Sequence, residues 1–452
     1  MRHKDRPLPE GWVEARVSDL ADYIRGVSYQ KSDALNVPSE GHIAILRANN
    51  LGEGFHLEDL VFVPTQWINS DQFIRANDIV LAMSSGSKKH VGKSVLASKD
   101  MDCAFGAFCG LLRPRPGVLP QFLSLQLGGR EFRRYIEEVA LGTNINNLKS
   151  SDLLAYSVVI APEQEQLRII GKIDELFPEL DKGLESLTTA RQQLALYRQV
   201  ILHQALLDQD GRAYPTIALA NLIGDIGQGW SPKCDVNASA KDGEWAIIKT
   251  TAVQPLSYLS HECKPLPSDL RPRPSIEIQD GDLLMTRKGP RPRTGVVCLV
   301  REARPKSMLC DTVYRFRARE EVVLPEYLEI ALNAPGVTQE INARKSGISD
   351  SGISLNHGKL LSLPIPVPES LPAQSLVIQT ARERLSILDH QSALVEEQIL
   401  RAEALRQAIL KRAFSGQLVA KVPSDEPPSV LLQRIGAERE AEAPSRKRRV
   451  TA

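Results

Sequence analysis

Positive charge collects in this chain where the backbone has to bend. Between Arg287 and Arg319 lie ten Lys/Arg residues (287, 288, 291, 293, 301, 304, 306, 315, 317 and 319) against two acids, Glu302 and Asp311, a local net of +8. Arg287-Lys288-Gly289-Pro290-Arg291-Pro292-Arg293 reads as a Gly/Pro loop between two strands. Its cations suit phosphate oxygens, and Arg and Lys also pair with the edge of guanine. So many like charges are not expected to pair within one short loop, so Arg287, Lys288, Arg291 and Arg293 are candidate contacts to DNA. A second polar, cationic loop lies far upstream, Ser84-Ser85-Gly86-Ser87-Lys88-Lys89-His90, with Lys93 just beyond it. It offers Ser85, Ser87, Lys88, Lys89 and Lys93 for the same chemistry. Two further turns, Arg47-Ala48-Asn49-Asn50 and Lys249-Thr250-Thr251, each follow an apolar run. Asn can pair with adenine and Thr can meet a thymine methyl, so Arg47, Asn49, Asn50, Lys249 and Thr250 join the candidates. A structural Asn turn reads equally well there.

Catalytic groupings are missing by the same reading. Gly86 to Ser94 imitates a phosphate loop, but it has one residue too many between its glycines and runs into the strand-like Ser94-Val95-Leu96. A phosphate cradle needs N–H groups at a helix N-terminus. Phe105-Gly106-Ala107-Phe108-Cys109-Gly110 is loosely like the glycine loop of adenosylmethionine enzymes. No Asn/Asp-Pro-Pro-aromatic tetrapeptide follows, and the segment reads as tightly packed core. Asp78 and Asp282 each precede a strand with no second carboxylate at metal spacing and read as turn caps. The six cysteines (103, 109, 234, 263, 298 and 310) form no C-x-x-C, and no His stands at finger spacing. They read as reduced structural thiols. No catalytic residue, metal or cofactor is expected on this chain.

The elements that must position the loops are written twice. Val17-Ser18-Asp19-Leu20 faces Leu219-Ala220-Asn221-Leu222, and Ala44-Ile45-Leu46-Arg47 faces Ala246-Ile247-Ile248-Lys249, both at a shift of 202. Asn77 to Leu81 faces Gly281 to Met285 at 204, Gly86 faces Gly289 at 203, and Leu119 to Leu123 faces Leu324 to Leu328 at 205. Each copy reads as an α+β globule. Strands are expected at Ile43–Leu46, Ile79–Met83 and Val91–Ala97, and again at Trp245–Ile248, Asp282–Thr286 and Thr294–Val300. Gln121–Glu138 and Glu326–Ala343 read as helices.

A long helix follows each globule. Apolar residues recur at Ile173, Phe177, Leu180, Leu184, Leu187, Leu194 and Ile201, with Arg191 and Arg198 at two seam positions. The second series is Leu385, Leu388, Val395, Ile399 and Ile409, with Ser392 and Arg406 in its gaps. Alternation of three and four over several heptads is a coiled-coil pattern. A pseudo-dyad between the copies would set these helices antiparallel, with the globules at opposite ends. Pro178 inside the first helix predicts a kink, or a short helix leading into a longer one.

The fold class expected is thus α+β, two pseudo-symmetric globular α/β domains separated by two long antiparallel coiled-coil helices. The segments are 1–161, 162–210, 211–368, 369–416 and a mobile tail, 417–452, rich in Pro, Glu and Arg. Fifty-six Lys+Arg against 55 Asp+Glu say nothing about a partner, so only local clustering informs. No apolar run approaches a bilayer span and the N-terminus has no apolar core, so a soluble, cytoplasmic chain without a membrane partner is expected.

Several segments resemble one family. Leu8-Pro9-Glu10-Gly11-Trp12, the run Asn77 to Leu81 with Gly86 and Gly92, Gly142-Thr143-Asn144-Ile145-Asn146-Asn147-Leu148, Gln164-Glu165-Gln166 through Phe177, and Leu410 through Leu418 together resemble type I restriction–modification specificity subunits. The likeness spans about residues 8–422. In the second copy Glu369-Ser370-Leu371-Pro372-Ala373-Gln374 replaces the Gln-Glu-Gln opening. The resemblance implies two target-recognition domains, each reading half of a split site in double-stranded DNA. It implies paired helices that fix the unread spacer and dock two methyltransferase subunits, with restriction/translocase subunits joining them. Adenosylmethionine, ATP and Mg²⁺ would belong to those partners. The alternatives are a self-contained DNA enzyme with an unrecognised site and a coiled-coil scaffold that ignores DNA.

Overall fold

A computed structural model of the chain describes residues 8–52, 54–87, 90–139, 147–235, 238–347 and 352–447. Lys88, Lys89 and the stretch 142–146 therefore lie outside the described residues. The chain divides into two compact units, Met1–Glu185 with Ile399–Ala452, and Ser186–Gln398.

The first unit holds a four-stranded antiparallel sheet in the order Ala21–Arg25, Cys109–Pro114, Ile79–Ala82, Ser94–Leu96. Beside it is a three-stranded sheet, Val61–Pro64, His42–Leu46, Cys103–Phe105, whose last pair is parallel. The second unit repeats both sheets. Its four strands are Gly227–Gln228, Val313–Phe316, Leu283–Thr286 and Val297–Leu299. Its three are Cys263–Pro265, Ala246–Ile248 and Ser307–Met308, again with a parallel last pair.

The central strand of each larger sheet is buried on both faces, which is why its sequence is an unbroken apolar run. Ile79 and Leu81 enter one apolar cluster while Val80 and Ala82 enter another. Leu283 and Met285 divide from Leu284 in the same way.

Each helix expected after the sheet is two helices. Pro120–Leu127 and Arg130–Val139 are separated at Gly128-Gly129. Pro325–Asn333 and Pro335–Arg344 are separated at Ala334, because the Pro335 ring cannot continue the preceding turn.

The long helices span Glu163–Gln204 and Leu371–Ala413, 42 and 43 residues, or about 60 Å each at 1.5 Å per residue. Of the two outcomes expected at Pro178, a kink or a short helix leading into a longer one, the second does not occur: the first helix runs unbroken through it. Pro178 and Asp174 are exposed, so water can satisfy the carbonyl that loses its donor. Within the first unit the two helices run antiparallel. Ile169, Ile170 and Ile173 share a cluster with Ile409, Leu410 and Ala413, and Asp181 pairs with Arg406. Arg406 also lies 4.4 Å over the Phe177 ring. Within the second unit Arg191 pairs with Glu396, Arg198 with Asp389, and Gln204 with Arg384, again with opposed numbering. The seam arginines thus reach carboxylates on the facing helix. Leu385 and Leu388 are buried, while Leu180, Leu184, Leu187, Leu194, Ile201, Val395 and Ile399 are half-buried.

The tail differs from expectation. A helix covers Pro428–Lys447, and Leu431 and Ile435 are buried in the first unit's core. Its apolar face is short, which is why the Pro, Glu and Arg content hid it. Arg168 pairs with Asp425 at 2.6 Å just ahead of it.

Candidate nucleic-acid interface

Both basic loops sit in one frame, built twice. In the first unit the Ala82 N–H donates to the Lys93 carbonyl at 2.9 Å, and the Gly92 N–H donates back to Ala82 at 2.8 Å. In the second the Thr286 N–H donates to Val296 at 3.0 Å, and the Gly295 N–H donates to Thr286 at 2.7 Å. Each loop closes on a glycine with positive φ, +80° at Gly92 and +84° at Gly295. A Cβ at either would stand 2.0 Å from Ile136 or 2.6 Å from Ile341, on matching helices. The frame is tied lower down as well. Asp78 caps the Arg75 N–H and receives Arg113, and Asp282 caps the Gln279 N–H and receives Arg317. Both aspartates have the capping role their turns suggested.

The loops carry their cations differently. Ser85 is half-buried, and Ser87 and Lys93 are exposed. In the second loop Lys288 and Arg291 are exposed, and Lys288 lies in a two-residue strand paired with Ser354. Arg287 is half-buried with its guanidinium 5.2 Å from the Tyr314 ring. Lys345, absent from the sequence reading, donates to the Arg291 carbonyl at 2.9 Å. Burial, and then the nearby Arg291 charge, hold its ammonium pKa below the usual lysine range.

Two candidates are corrected by their bonds. Arg293 was expected to reach outward, but its guanidinium donates to Gln254 Oε1 at 2.9 Å, Thr250 O at 3.0 Å and Val253 O at 2.7 Å. It ties the loop to the neighbouring turn. Asn50 is 1% exposed. Its amide donates to His56 and Glu58 carbonyls and accepts the Arg47 N–H, so both donors are spent inside the turn. Arg47 donates to the Asp59 carbonyl, Lys249 stands 3.7 Å from Glu262, and the Thr250 hydroxyl is 3.0 Å from that of Thr312. Asn49 is exposed. The +8 stretch is likewise thinned in space. Arg301 pairs with Glu329, Lys306 donates to the Gly243 carbonyl, and Arg315 and Arg317 surround Asp282.

Segments that resembled one family in sequence meet in the first unit. Trp12 donates to Glu165 at 3.1 Å and packs edge-on against Phe122, which meets Phe414 at 5.4 Å. A Cβ on Gly416 would lie 2.9 Å from Pro9. The altered helix opening of the second copy delivers the same buried glutamine. Gln374 donates to Pro368 O at 3.3 Å, where Gln166 donates to Ala161 O at 2.7 Å.

No protein-family model matches the chain. It is 30% identical over 456 residues to the type I restriction enzyme EcoKI specificity subunit of Escherichia coli K12, covering 96% of this chain and 97% of that one. The chain belongs to the type I restriction enzyme specificity subunits. The StySPI specificity subunit of Salmonella potsdam is 29% identical over 452 residues, 96% of each chain. A chain from a solved structure on assembly and conformational transition of a type I restriction–modification system has the same fold. Its TM-score is 0.65 at 16% identity, over 91% of this chain and all of that one.

Among the described residues no three His, Cys, Asp or Glu gather to hold a metal, and no helix is long and apolar enough to cross a membrane. Burial raises the Cys103 thiol to about 11 and Cys109 to about 12, leaving both as poor nucleophiles near neutrality.

Proposed function

We propose that this non-catalytic specificity subunit reads a two-part site in double-stranded DNA, one part with each loop-bearing edge. We further propose that it carries the choice of site to two methyltransferase subunits and to restriction/translocase subunits. The observation that supports this most is the duplicated frame with unlike loops: the same clamp at Ala82–Gly92 and Thr286–Gly295 presents Ser85, Ser87 and Lys93 in one copy, and Lys288, Arg291 and Arg287 in the other. One scaffold bearing two different surfaces suits two different short sequences. The long helices suit the part of a spacer that fixes the unread gap and a surface for the methyltransferase subunits. Adenosylmethionine, ATP and Mg²⁺ would be held by those partners.

The test is DNA binding by the subunit assembled with its methyltransferase partners, over a range of salt. Each cation that neutralises a phosphate adds about 0.9 to the slope of log affinity against log salt. Lys288→Glu with Arg291→Glu is expected to lower affinity at least about tenfold at moderate salt and to flatten the slope by about 2. An unchanged slope would remove this loop from the DNA interface.

A further inference from the structure

Phe108 is 68% exposed, the highest value of any large apolar side chain among the described residues. The sequence alone set its segment in the core, and Phe105 and Cys109 are indeed buried. Phe108 points the other way from a turn with no freedom to collapse. Met83 and Ser84 N–H both donate to the Phe108 carbonyl, at 2.8 and 3.0 Å. Cys109 N–H donates to Gly106, and Ala107 N–H donates to Val27. Gly26 packs against this turn so closely that a Cβ would stand 2.1 Å from the Gly106 oxygen. A rigid backbone thus holds a bare ring in water.

Its location supplies the reason. The bond from Ser84 joins the ring's turn to the first residues of the basic loop, and Gly106 N–H donates to Leu46 at 2.9 Å, joining it to the Arg47–Asn50 turn. The turn that carries Phe108 is therefore bonded to the start of the basic loop and to the strand end from which the Arg47–Asn50 turn leaves. The second unit repeats the arrangement: Arg287 N–H donates to the Thr312 carbonyl at 2.8 Å, and a Cβ on Gly229 would meet the Leu309 oxygen at 2.0 Å. Thr312 holds the place of Phe108 there, bonded to Thr250 of the turn that matches Arg47–Asn50. The same position is apolar and exposed in one copy, hydroxylic and bonded in the other. It varies within a constant frame, beside the groups that suit phosphates and base edges.

We infer that Phe108 is a specificity-determining residue of the first domain and packs against the C5 methyl of a thymine in the major groove. The inference rests on the reading that these loop-bearing edges meet duplex DNA. Thymine is the base whose groove edge is apolar, and a phenyl ring is a suitable partner for it.

The experiment uses the full subunit assembled with its methyltransferase partners. The probes are duplexes carrying its mapped site, in which each thymine of the first half is replaced in turn by deoxyuridine, which lacks only the methyl. One replacement is expected to weaken binding about threefold to tenfold. Phe108→Ala should lose the same factor on the natural duplex and become indifferent to that replacement, while Phe108→Leu should retain part of the sensitivity. A first half in which no thymine responds overturns the inference, and so does an alanine variant that still senses the methyl. The deoxyuridine series on the unaltered subunit decides alone if the alanine variant does not assemble. Lys288→Glu with Arg291→Glu is run beside it. If that variant loses affinity while Phe108→Ala does nothing, only the role of Phe108 fails; if neither changes binding, the reading of the edges as DNA surfaces fails.

Discussion

The two basic loops occupy identical seats and are built by opposite means. The second is stiffened from inside: Pro290 and Pro292 fix the backbone, Lys288-Gly289 pairs as a short strand, and Arg293 spends its guanidinium on three acceptors next door. The first has Ser85, Gly86 and Ser87 opposite Lys288, Gly289 and Pro290, and Lys89 and His90 opposite Pro292 and Arg293; its neighbouring turn presents an exposed aromatic ring where the second presents a hydrogen-bonded threonine. The conserved part of the duplication is the frame: the strand order, the left-handed glycines, the Asp–Arg ties and the close backbone approaches. The free part is what faces outward. A duplicated reader can change one half of its target while keeping the other, provided that substitutions stay off the frame.

The largest expected effects test whether the frame is shared. Gly26→Val and Gly229→Val each force side-chain atoms against a backbone carbonyl that cannot retreat. Each is expected to cost about 3 kcal/mol or more, at the upper end of overpacking penalties. Thermal or denaturant unfolding would measure it, and a large loss in one copy with none in the other would break the equivalence of the two turns. A smaller and sharper contrast lies within the second loop. Arg293→Ala removes three hydrogen bonds that tie the loop to the neighbouring turn and is expected to lower stability by about 1–3 kcal/mol, with the salt slope of DNA binding unchanged. Lys288→Ala should do the reverse, reducing the slope by about 1 and leaving the unfolding midpoint in place. Matching behaviour of the two variants in both assays would erase the division between anchoring and facing cations.

Much of this architecture was legible in the sequence. The duplication predicted two like α+β globules, and the runs at Ile79–Met83 and Asp282–Thr286 predicted strands, which the structure places at the buried middle of each larger sheet. The three-four spacing of apolar residues marked both long helices, with arginines at seam positions that find carboxylates opposite. Pairing through space was not legible. Whether Arg293 faces outward depends on Gln254 and on two carbonyls some forty residues away, and no local pattern reports them. Asn50 has the composition of a base-reading residue and the bonds of a turn. Phe108 stands between buried neighbours in an apolar string, and only the turn geometry shows that its ring points outward. The terminal helix went unread because two or three apolar contacts suffice to dock it.

The central claim is that each copy reads its own part of a divided site. Mapping of methylated bases tests it most directly, in cells that carry the subunit with its methyltransferase partners, unaltered or with Lys288→Ala and Arg291→Ala. The account predicts a modified motif in two parts around a fixed unread gap, with only one part relaxed by the double substitution and the other part and the gap unchanged. A continuous motif, or equal relaxation of both parts, would contradict it.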